Sequence, residues 1–97
     1  MKYLVVAASL NGTGIRDKYN GGYVDIKKLG LSVDTINRIE QWLLNYEDEH
    51  YNGFSDGCNV DKLDKEGLEI AKIVNEELSD VKIEYFSDAR MTTEILL

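Results

Sequence analysis

The chain has 97 residues, enough for one modest core and too few for two. Its 43% apolar and 30% charged content belongs to a folding globular domain, and no apolar run is long enough to span a bilayer, so no membrane partner is expected. The net charge of −7 is unevenly spread: residues 1–30 hold five basic and two acidic side chains, the remainder six and sixteen. A field of that sign disfavours direct nucleic-acid binding and draws in a basic protein.

The opening "MKYLVVAASL" contains an apolar run of eight residues that the polar "NGTG" cuts short. It reads as a first β-strand rather than a leader, which places the chain in the cytoplasm. Cys58, the only cysteine, cannot form an internal disulfide, in keeping with a reducing compartment. Residues 11–31 carry five glycines and read as a long structured connection, within which "YVDI" (23–26) is compatible with a brief edge strand.

A first helix is predicted from Val33 to Glu49, capped by Ser32 or Asp34. Its apolar stripe is Val33, Ile36, Ile39, Leu43 and Tyr46, with Trp42 beside it. A second helix follows Asn59 or Asp61 as cap, with Leu63, Gly67, Ile70, Ala71, Val74 and Leu78 on one side. Gly67 on that stripe predicts the close approach of another backbone, that of the sheet or the first helix. "VKIEYF" (81–86) alternates as a strand, and "MTTEILL" either returns as a hairpin strand or frays. The expected fold is therefore a single α+β domain over residues 1–97. It is a two-layer sandwich in which two amphipathic helices pack on one face of a sheet of two to four strands.

The stretch "DEHYNGFSDGCN" (48–59) resembles a calcium-binding loop in part. Asp48, Asn52, Gly53 and Asp56 fall at the first, fifth, sixth and ninth places. His50 at the third place is a poor ligand for a hard cation, and Asn59 stands where a bidentate glutamate is needed. A calcium-dependent regulatory module is thus an alternative, not the leading reading. His50 and Cys58 are too few for structural zinc and lack a nucleophile context. The glycines after the first strand match neither dinucleotide nor Walker spacing, so no cofactor is expected. Consecutive Glu47, Asp48 and Glu49 point in different directions and do not make a catalytic carboxylate pair, and no enzyme is predicted.

These acids also oppose the dipole at a helix C-terminus, a cost consistent with charges kept for a partner. Tyr51 and Phe54 lie among Glu47, Asp48, Glu49 and Asp56, and Asp61 and Asp64 extend the acidic rim. "NYEDEHYNGFSD" and the acidic excess after residue 30 resemble the small acidic immunity proteins that bacteria make against toxins of contact-dependent inhibition and bacteriocin systems. The resemblance implies stoichiometric binding of a basic toxin domain, a nuclease above all. Glu47, Asp48, Glu49, Asp56, Asp61 and Asp64 would stand in for nucleic-acid phosphates, and Tyr51 and Phe54 would supply buried contact.

Overall fold

The computed structural model describes residues 2–8, 12–19, 21–54, 57–78, 80–87 and 89–96, with the side chains of 94–96 left aside. Four strands, β1 (Lys2–Ala7), β2 (Ile15–Asp17), β3 (Val81–Ser87) and β4 (Thr92–Leu96), and two helices, α1 (Val33–Tyr51) and α2 (Gly57–Glu77), form an α+β two-layer arrangement. The sheet order is β2–β1–β3–β4. β1 and β3 are parallel, from Lys2 opposite Val81 to Ala7 opposite Phe86, so the connection between them has to cross the sheet and carries both helices. β2 and β4 flank this pair antiparallel. Central position explains the nearly continuous apolar reading of β1: Leu4, Val5, Val6 and Ala7 are all buried.

Leu4 and Val6 of β1 and Ile83 and Tyr85 of β3 form one core with Ile39, Trp42 and Tyr46 of α1 and Ile70, Ala71 and Val74 of α2. Trp42 is the largest fully buried side chain, and its indole N–H donates to the Leu63 carbonyl at 2.9 Å. Ser32 caps α1 by accepting from the Thr35 N–H. Glu77, at the end of α2, closes the same cap: its carboxylate accepts from the Ser32 N–H at 2.7 Å and from the Thr35 hydroxyl. Arg38 then clamps α1 to α2 through Glu66, at 2.6 and 2.8 Å, and Glu69, at 2.7 Å.

Several expectations need correction. Val33 is 70% exposed and lies off the core stripe, which runs through Thr35, Ile39, Trp42 and Tyr46. α1 continues two residues past Glu49, and α2 begins at Gly57, ahead of the Asn59 and Asp61 assigned as caps. The glycine-rich connection holds β2, while "YVDI" contributes one bridge from Tyr23 to Arg16 before a 3-10 turn over Ile26–Lys28. Gly14, next to β2, has φ +97°, and a Cβ there would sit 2.8 Å from Ile39 of α1. Gly67 admits rings and not a backbone: a Cβ would lie 2.7 Å from Tyr85 Cζ and 2.8 Å from Trp42 Cζ2. The segment after Arg90 pairs as β4.

Candidate partner-binding site

The last turns of α1 carry the acidic stretch. Glu47 and Asp48 are exposed, and among the described residues neither forms an ion pair. Tyr51 is 74% exposed at the end of the helix. Glu49 turns toward α2, where its Oε1 accepts from Asn59 Nδ2 at 3.0 Å. Its Oε2 is buried with no hydrogen-bond partner among the described residues. Phe54 is half-buried, its ring 5.7 Å from Tyr46 and 5.3 Å from His50, and so packs the bend. Asp56 lies outside the described residues.

Asp61 and Asp64 have other engagements. Asp61 is exposed but paired with Arg90. Asp64 is buried and does not extend an acidic rim. It accepts from the Tyr85 hydroxyl at 2.7 Å, the Ser87 hydroxyl at 3.0 Å, and Arg90. Burial, reinforced by the adjacent Asp64 carboxylate, pushes the Tyr85 phenol far above its ordinary range, so it stays protonated and donates. The Tyr46 hydroxyl accepts from the Ala89 N–H at 2.9 Å, fastening the β3–β4 turn to α1 as Asp64 fastens it to α2.

The near-match to a calcium loop has no loop behind it. Asp48, His50 and Tyr51, which would have to curl around an ion, are the last turn of α1. Among the described residues no group of three or more His, Cys, Asp or Glu side chains is placed to hold a metal. No helix among them is long and apolar enough to cross a membrane.

Sequence reasoning passed over the outward side of α1. Glu40 and Leu44 are exposed there, Leu44 by 58%, on the same side as Asp48 and Tyr51. The available signal was the spacing of Val33, Leu44 and Tyr51, eleven and then seven residues apart, which repeats a helical face but not the core-facing one.

Glu40, Glu47 and Asp48, which form no ion pair among the described residues, thus share the outward side of α1 with the exposed Val33, Leu44 and Tyr51. The family described as Serratia CdiI immunity protein-like matches residues 8–88, and the chain belongs to that family of contact-dependent inhibition immunity proteins. Its role is therefore immunity, exercised on a cognate toxin. No curated protein matches the chain.

Proposed function

We propose that the chain is a cytoplasmic inhibitor, with no catalysis of its own, that neutralises a basic nuclease toxin by one-to-one binding. The observation that carries this reading is the exposed pair Glu47 and Asp48, without an ion pair among the described residues, beside Tyr51 at the end of α1. Two carboxylates held on a rigid helix present negative charge much as a nucleic-acid backbone presents phosphates, and Tyr51 adds apolar area with little conformational freedom to lose. Asp56, eight residues after Asp48 in sequence, and Asp61 are assigned to the same partner contact in the proposal. Glu49 and Phe54 support it from behind, and Asp64 acts on it only by holding α2 to the sheet.

The test uses the toxin domain encoded beside the chain. A Glu47→Lys, Asp48→Lys double variant should bind at least roughly 100-fold more weakly, the scale set by losing close interfacial charge pairs. Its unfolding midpoint should hold, because lysines at a helix C-terminus suit the dipole better than the acids they replace. Wild-type affinity in that variant would overturn the assigned surface. In parallel, the toxin should degrade RNA or DNA, and one equivalent of the chain should stop it. A toxin that degrades neither would remove the nuclease assignment.

A further inference from the structure

The outward side of α1 carries more than its acidic end. Leu44 and Tyr51 are two helical turns apart on one side, about 10 Å along the axis. Glu40 stands one turn before Leu44, and Glu47 and Asp48 one turn after, so three carboxylates fence an exposed leucine. Among the described residues none of the three forms an ion pair. The only arginine or lysine of α1 is Arg38, and it is taken up by Glu66 and Glu69.

Two other faces differ in sign or in content. On the sheet face that the helices leave uncovered, Lys18 and Lys82 lie over the Tyr3 ring at 5.6 and 5.2 Å, and Arg16 over Phe86 at 5.4 Å. Glu84, the acid set among them, is buried and already bound by Lys18 at 2.9 Å. That side repels a cationic partner. The outward side of α2 alternates lysines with acids and exposes no large apolar residue.

We propose that the toxin docks along the outward face of α1 and seats Leu44 in an apolar recess rimmed by lysine or arginine. This rests on the toxin-binding reading above and moves the centre of the contact from the α1–α2 bend to the middle of the helix. An apolar anchor inside a ring of charge is how interfaces divide affinity from steering: the anchor slows dissociation, and the charges speed encounter. The cationic sheet face, turned to the other side, adds torque that presents α1 to an approaching basic surface.

The experiment measures association and dissociation rates with the neighbouring toxin domain for Leu44→Ala, Glu40→Lys and, as a control on α2, Glu76→Lys. Leu44→Ala should raise Kd roughly 10-fold or more through faster dissociation. Glu40→Lys should slow association by about 10-fold at low salt, with the difference closing as salt rises. Glu76→Lys should stay within about twofold of wild type. All three positions are exposed, so unfolding midpoints serve as the check on folding. Wild-type rates for Leu44→Ala and Glu40→Lys would overturn the inference. If the Glu47→Lys, Asp48→Lys variant still bound weakly, the contact would end at the bend and the proposed function would stand. If the unaltered chain failed to bind the toxin, the function reading would fall as well.

Discussion

The two helices share a core and present opposite surfaces to water. On α2 three of the four exposed acids are spent within the molecule: Asp61 on Arg90, Glu69 on Arg38, and Glu77 on the cap of α1. On α1 the exposed acids Asp34, Glu40, Glu47 and Asp48 form no ion pair among the described residues, and Val33, Leu44 and Tyr51 are three of the six large apolar side chains exposed among those residues. One helix is wired inward and the other is open outward. Changes on α2 should therefore act on stability, and changes on the open side of α1 on affinity.

The largest stability effect should come from Asp64→Ala. The Tyr85 and Ser87 hydroxyls would lose a buried acceptor and Arg90 one of its two partners, a loss of about 2–4 kcal/mol in chemical denaturation. Part of the Arg90 contribution is screened, since that side chain is 43% exposed. Toxin affinity of the folded fraction should be unchanged; a matching loss of affinity would break the division between the helices. Gly67→Ala comes next. The added methyl meets two buried rings, so a net loss of about 1–3 kcal/mol is expected despite better helix propensity. A stabilised variant would show that Trp42 and Tyr85 can move apart.

Smaller still is Thr35→Val, which removes the strongest hydrogen bond holding the Glu77 carboxyl below its usual value of 4.5, ahead of the Ser32 N–H. The cost near neutral pH should be about 1 kcal/mol. A carboxyl whose folded pKa is depressed contributes its stability above the unfolded value and loses it as the pH falls through the folded one. The Thr35→Val deficit should therefore shrink as acid is added below 4.5. Glu66, depressed chiefly by its hydrogen bonds to Arg38, adds to the wild-type decline over the same range. A deficit independent of pH would place the effect in packing instead. Least of all, Leu44→Ala should alter stability by under about 0.5 kcal/mol, and that silence sharpens any binding defect it has.

Local patterns made most of the fold legible. The Ser32 cap, the Ile39–Tyr46 spacing and the alternation of "VKIEYF" each depend on residues a few positions apart, where sequence and structure share one period. β2 escaped because three residues between glycines offer no period to detect. Gly67 is legible as a close-packing position, but its neighbours are not: Trp42 lies twenty-five residues earlier on another helix, and Tyr85 on a strand. Asp64 reads as a surface acid for the same reason. Its partners Tyr85, Ser87 and Arg90 lie 21, 23 and 26 residues away, and a carboxylate carries no mark in the sequence of being satisfied. Of the candidate surface, the acidic end of α1 was visible as composition. The fenced leucine was not, because Val33, which shares its side of the helix, reads as one more member of the core stripe.

The parallel pairing of β1 with β3 has a consequence in time. Lys2 lies opposite Val81, so the central ladder cannot zip until β3, some eighty residues after β1 begins, has left the ribosome. Until then neither helix has a floor to rest on, and the side chains of α1 have no fixed arrangement. Protection therefore begins only once β3 has been made and paired, and a cell meeting a toxin depends on the copies folded beforehand.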